Sequence, residues 1–297
     1  AFEAILKNLG WRRGWQVLRR SAANARYFSA SSLKPPADVS QGDAAAGVCI
    51  DFYGRYQSQA VRDIDGNSRV GYIDPPGATT IDPDPISLLR GAPNKTMALR
   101  FIEFCLTQEA QALWQFSATD KAKDGLGPDM WELRRMPIRR EMYTQYMERM
   151  IDQVNPYAIA RPAPFPDENM RAFIAPIFSA MAMDHHDELV LAWQAIIEHP
   201  AYPDTSGLVT ADDVSDPSLA KMLASFDALP SFLTSNGELI AMDTPEEREV
   251  LKYGWLRDKW SNHSLWNAEV KGEAAFRRIA AEYFRIQYEQ ILEKMSG

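Results

Sequence analysis

A chain of 297 residues and 33.5 kDa, 46% of it apolar, is long enough to bury a sizeable core and has the composition of a folded protein. With 40 acidic against 32 basic side chains, the net charge is −8 and the pI 5.2, which argues against a nucleic-acid backbone as the main partner. No apolar run reaches the length of about 18 residues that a membrane-spanning helix requires.

Charge is unevenly placed. Residues 1–130 hold 15 basic and 14 acidic side chains, whereas residues 131–297 hold 17 and 26, so the acidity belongs to the second part. The chain opens on Ala1, with no basic stretch followed by an apolar core, and is expected to be a processed protein or a fragment. Residues 1–26 carry six cations and one anion, Glu3, on what reads as two short helices broken at Gly10, their basic side expected to face solvent.

From residue 27 the texture is α/β. Tyr27–Ser29 and Gly47–Ile50 read as short strands, and between them Lys34–Asp43 reads as a short helix and turn, interrupted by Pro35, Pro36 and Gly42. Asp51 is placed to cap a helix running through Tyr53, Tyr56 and Val61. A further strand over Arg69–Ile73 stops at Asp74-Pro75-Pro76-Gly77, and 78–90 reads as an extended connection. Asn94 then opens a predicted helix whose apolar face is Ala98, Phe101, Ile102, Cys105, Leu106 and Leu113. Cys49 and Cys105 sit in apolar runs and read as buried thiols.

Beyond residue 130 the pattern is mostly helical. Arg161–Asp167 reads as a proline-rich connector, and Thr244-Pro245-Glu246-Glu247 is a capping box opening a helix through Trp255 and Trp260. The last helix, from about Glu273, presents Phe276, Ile279, Tyr283 and Ile286 at helical spacing.

Two segments carry a family resemblance. VSQGDAAAGVCIDFYGRYQSQ at 39–59 and SLLRGAPNKTMALRFIEFCLTQEAQALWQF at 87–116 together resemble the extracellular solute-binding proteins of ATP-driven importers, in particular the ferric-iron type. Gly42-Asp43 stands where that family has a Gly-Glu pair, Gly91-Ala92-Pro93-Asn94 forms its turn, and Glu109-Ala110-Gln111 its Glu-Gly-Gln-like triplet. The resemblance covers roughly residues 10–118. It implies an α/β chain with a partial type-2 periplasmic-binding-protein fold over 1–130, the remainder of the second lobe and the return into the first, followed by a mostly helical C-terminal region over 131–297. By the same implication the N-terminal lobe would lie upstream of Ala1.

The resemblance also implies a site. In the ferric-iron type, the segment matching Ile50–Tyr53 carries two adjacent tyrosines whose phenolates bind Fe(III), a hard cation suited to oxygen donors. Here the pair is Phe52-Tyr53, so Tyr53 alone can be the metal ligand, with Asp51 as a neighbouring carboxylate. Each has a plainer reading, Asp51 as a helix cap and Tyr53 as a half-buried aromatic. Ser29, Ser31 and Ser32 would form a polar loop at the same strand ends, suited to an anion, or an ordinary serine-rich turn.

Other constellations point elsewhere. Asp184-His185-His186-Asp187 has ligand residue types, but its adjacent positions point to different sides of a helix and no further ligand stands beside it, so it reads as a solvated helix start; the quartet Arg134, Arg135, Arg139 and Arg140 reads as the start of a surface helix, with binding of an anion or a membrane partner as the alternative. P-loop, GxGxxG and HExxH motifs are absent from the sequence, and His199 and His263 have no nucleophile motif beside them. The expected function is therefore non-enzymatic. It is an extracytoplasmic or periplasmic solute-binding component that hands a small anionic or organic solute, or Fe(III) as transported ligand, to an ABC permease, with no resident cofactor, no nucleic acid and no membrane span. The alternative is a degenerate binding lobe serving as an interaction scaffold through the acidic helical region.

Overall fold

The computed structural model describes residues 2–78, 81, 84–120, 125–165, 171–233, 239–243 and 272–293. The capping box at Thr244 and the helix through Trp255 and Trp260 lie outside them. The chain divides into two compact units, one of Ala1–Phe28 with Pro162–Gly297 and one of Ser29–Arg161. Position 130, where the charge balance changes, falls inside the second unit.

The chain begins the first unit with α1 (Phe2–Leu9) and α2 (Trp11–Ala23). Gly10 breaks them at a φ of 81°, a conformation that side chains resist. The helices cross so closely that a Cβ on Gly14 would lie 2.7 Å from the Leu6 Cδ2. Trp11, Trp15, Leu18 and Ala22 form a buried row along α2, and the Trp11 indole donates to the Met242 carbonyl at 2.8 Å.

The second unit follows. It comprises α3 (Lys34–Gln41), α4 (Asp51–Ala60), α5 (Lys95–Cys105), α6 (Gln108–Gln115), α7 (Arg140–Gln145) and α8 (Pro156–Ile159). Its core is small: Ala112, Phe116, Met142, Tyr143 and Met150, flanked by Leu126, Met136 and Tyr146. The single predicted helix after Asn94 is two helices, because the Thr107 hydroxyl accepts from the Ala110 N–H at 3.2 Å and starts α6 afresh. α5 buries none of its side chains: Met97 is 64% and Phe101 57% exposed.

The chain then returns to the first unit with α9 (Arg171–Phe178), a π-helical turn at Ser179–Met183, α10 (His186–Ile197), α11 (Pro217–Asp227) and α12 (Gly272–Glu293). α11 is opened by Asp216, which accepts from the Leu219 N–H at 2.9 Å, with Pro217 at the first helical position. α12 turns Phe276, Ala280, Phe284, Tyr288 and Ile291 inward at fourfold-to-threefold spacing, leaving Ile279 and Tyr283 half-buried and Ile286 exposed. The predicted stripe was offset by part of a turn, because bulky apolar residues occupy both sides of the buried row.

The helical expectation for the later chain is met in α7 to α12, but the α/β texture of the earlier part is not. Among the described residues, strand is confined to β1 (Ser231–Leu233) and β2 (Leu239–Ala241), an antiparallel pair with Phe232 opposite Ile240. Tyr27–Ser29, Gly47–Ile50 and Arg69–Ile73 are irregular. The last shows why: side chains take the place of a neighbouring strand. The Ser58 and Ser68 hydroxyls donate to the Val70 carbonyl at 2.7 and 2.8 Å, and the Arg69 guanidinium donates to the Ser40 carbonyl.

The basic N-terminal side is also not uniformly solvated. Arg19 and Arg20 of α2 are buried. Arg20 forms a two-pronged ion pair with Asp227 and donates to the Val209 carbonyl at 2.8 Å, while the Gln16 amide donates to the same carboxylate at 3.0 Å. Arg19 lies 4.7 Å from the Phe284 ring centroid and 5.5 Å from that of Phe226, and donates to Gln287 and the Ala228 carbonyl. The fork of a guanidinium lets Arg20 reach a carboxylate and a carbonyl at once inside a helical core, although its buried Nε has no hydrogen-bond partner among the described residues.

Candidate functional site around α4

α4 begins at Asp51, but Ile50 occupies the cap position and no side chain caps it. Asp51 is instead the first helical residue, where a carboxylate meets the positive end of the helix. It accepts from Arg55 one turn later at 2.9 Å. The other arm of Arg55 donates to Asp74, and the Tyr72 hydroxyl donates to the second Asp74 oxygen at 3.0 Å. Burial first, and then the Asp74 charge, push the Tyr72 phenol well above its ordinary pKa, so it stays a neutral donor.

Gly54 makes this arrangement possible. A Cβ there would stand 2.2 Å from Tyr72 Cδ2 and 3.0 Å from Cys49 Sγ, so an edge of the ring occupies the space a side chain would take. Cys49 is half-buried, its thiol pKa raised by that burial and then by the Asp51 charge. Tyr53 is half-buried with its ring centroid 4.2 Å from that of Phe52, and Arg135 sits over the Phe52 ring at 4.4 Å.

Of the serines, Ser29 and Ser31 make a local turn ahead of α3. The Ser29 hydroxyl donates to the Ser31 carbonyl at 2.9 Å and accepts from the Ser31 N–H at 3.0 Å, and the Ser31 hydroxyl accepts from the Leu33 N–H. Ser32 is exposed in the same turn. The serine-rich turn is thus a structural reality, whatever else it does. No group of three or more His, Cys, Asp or Glu converges among the described residues. Asp184 pairs with Arg277, and His186 approaches the Ala22 carbonyl at 3.1 Å, so the Asp-His-His-Asp run serves packing in the first unit.

A feature that sequence reading missed lies one to two turns along α4. A concavity of about 340 Å³ is bordered by Arg55, Arg62, Tyr72, Asp74, Arg134 and Asp152. Arg134 was expected on a solvated helix start, yet it is 7% exposed and held at a φ of 55°, a conformation uncommon outside glycine. It donates two-pronged to Asp152 and through its third arm to Gln59, and the Gln115 side chain braces Asp152 by donating to its carboxylate and accepting from its N–H. Arg134 belongs to the arginine quartet whose alternative reading was an anion site, but its partner Asp152 lies 18 residues on, where no local pattern reveals it.

Residues 2–119 match the family model of bacterial extracellular solute-binding proteins. The matched stretch runs from α1 through α6 and contains Asp51, Tyr53, Arg55, Arg62 and Asp74. No curated protein and no solved structure matches the chain.

Proposed function

We propose that this protein is the solute-binding component of an ABC importer, working outside the cytoplasmic membrane and delivering a small anionic or organic solute to a permease. The observation that carries the reading is the match of residues 2–119 to the extracellular solute-binding family. Its role is binding, with no bond made or broken. No described helix is long and apolar enough to cross a membrane.

The solute site is assigned to the α4 region, with Tyr53 and Asp51 at the start of that helix and Ser29, Ser31 and Ser32 on the turn before α3. An anion suits this region better than Fe(III). Asp51 is already engaged by Arg55, so the carboxylate that would join Tyr53 on the metal is occupied. A ligand screen tests the reading: thermal shift followed by calorimetry against small carboxylates, phosphate esters, ferric citrate and polyamines. A bound solute at a hundredfold excess over Kd adds about 2.7 kcal/mol to stability and raises Tm by several degrees. A phenolate-to-iron absorption band that Tyr53→Phe abolishes would return Fe(III) as the cargo.

A second reading rests on α5. A helix that buries none of its side chains and exposes Met97, Phe101 and Phe104 is suited to an interaction protein whose partner covers it. Failure of every solute in the screen favours this reading.

A further inference from the structure

The geometry points to the concavity beside α4 as a site for a small organic monocarboxylate, with Arg62 as the residue that receives the carboxylate. For its biological role this deepens the solute-binding reading and rests on it; the site itself is argued from its own charges and walls.

Three arginines and two aspartates border the concavity, Arg55, Arg62 and Arg134 against Asp74 and Asp152. Arg55 is neutralised by Asp51 and Asp74, and Arg134 by Asp152. Arg62 is the one of the three arginines with no acidic partner among the described residues. One carboxylate would supply that partner. A guanidinium fork also matches the two oxygens of a carboxylate in shape.

Arg62 is positioned rather than loose. It follows the end of α4 and bridges to Ser68 across a tight turn in which the Asp63 carboxylate accepts from the N–H groups of Asp65 and Asn67, at 3.0 and 2.8 Å. Gly66 supplies the left-handed residue that the turn needs, at a φ of 84°. A fixed backbone beneath the guanidinium reduces the ordering that binding must impose.

Deeper in, Arg134 is held in a left-handed conformation by its ties to Asp152 and Gln59. Strain of this kind persists where surrounding contacts over-determine it, and it gathers at ligand sites. The Tyr72 ring, Ile151 and Val154 give an apolar wall for the hydrocarbon part of the ligand. At about 340 Å³ the concavity sits at the small end of the range for organic ligands, which favours short acids over nucleotides or sugars.

Isothermal titration of the full chain with acetate, butyrate, hexanoate, butyramide and inorganic phosphate, at low and at physiological salt, tests the assignment. Expected are one-to-one binding of the carboxylates, affinity rising several-fold from acetate to hexanoate, no heat from butyramide, and a loss of tenfold or more in Arg62→Ala with partial recovery in Arg62→Lys. Because Arg62 is exposed, both variants should keep the parent far-UV spectrum. Equal binding of butyramide and butyrate, an unchanged Kd in Arg62→Ala, or phosphate binding tighter than every carboxylate overturns the proposal. If another solute from the wider screen binds and Arg62→Ala leaves that affinity intact, this site assignment fails while the solute-binding reading stands. If nothing binds in either experiment, both fail.

Discussion

Gly54 illustrates how much one missing side chain can set. Tyr72 reaches Asp74, and through it Arg55, only because an edge of its ring occupies the space where Gly54 has no Cβ. Gly54→Ala is therefore expected to push the ring aside and lower stability by about 1–3 kcal/mol, read as a fall in the urea midpoint. The helix-propensity gain of alanine, about 1 kcal/mol, acts the other way and is the smaller effect when the collision is at 2.2 Å. Tyr288 makes a second test. Its hydroxyl is buried and donates to the Met181 carbonyl at 2.7 Å, and burial pushes its pKa up to about 12, with Arg19 drawing it down in part. A phenol harder to ionise in the folded state lends stability that is intact below its ordinary pKa and is lost as pH rises from about 10 to 12, by roughly 3 kcal/mol. Tyr288→Phe should be about 1 kcal/mol weaker at pH 8, where it lacks the hydrogen bond, and should overtake the parent above pH 11 in urea titrations followed by tryptophan fluorescence. Neither effect is legible in sequence, because both depend on contacts made between distant parts of the chain.

At the scale of elements, local signals and long-range ones part company. The break at Gly10, the helix and turn from Lys34 to Gly42, and the helix starting after Asn94 were all readable, since each is set by residues within a turn of it. Thr107 was not read as a cap, although it ends α5 and starts α6. Thr107→Ala should cost about 1 kcal/mol and reduce the helical circular dichroism, and Thr107→Ser should restore most of it. The α5 face was read as an apolar stripe and is at most half-buried, for periodicity shows that a helix is amphipathic without showing what covers it. The predicted strands failed for a related reason. An extended β-branched run becomes a strand only beside another, and at Val70 the serines of α4 and of the adjoining loop meet the backbone instead. Of the site, Asp51 and Tyr53 could be singled out from the family resemblance and Arg134 from an arginine quartet, whereas Arg62 carries no motif and emerges only from its placement beside one concavity.

At the scale of the whole chain, the matched stretch 2–119 enters both compact units, contributing α1 and α2 to one and α3 to α6 to the other. The charge division at residue 130 describes composition and does not follow the units, since one of them is built from both ends of the sequence. That discontinuity has a consequence during synthesis. The buried arginines of α2 meet their partners late: Asp227 lies 207 residues beyond Arg20, and Gln287 268 residues beyond Arg19. At about 5–20 residues per second, α2 waits on the order of 10–40 s for its carboxylate, its tryptophans and guanidiniums lacking their native neighbours, while every residue of Ser29–Arg161 has already been made. The nascent chain thus carries its own α2 as an unfinished surface while those 207 residues are made, a period in which a holding chaperone has more to protect than once Asp227 has docked.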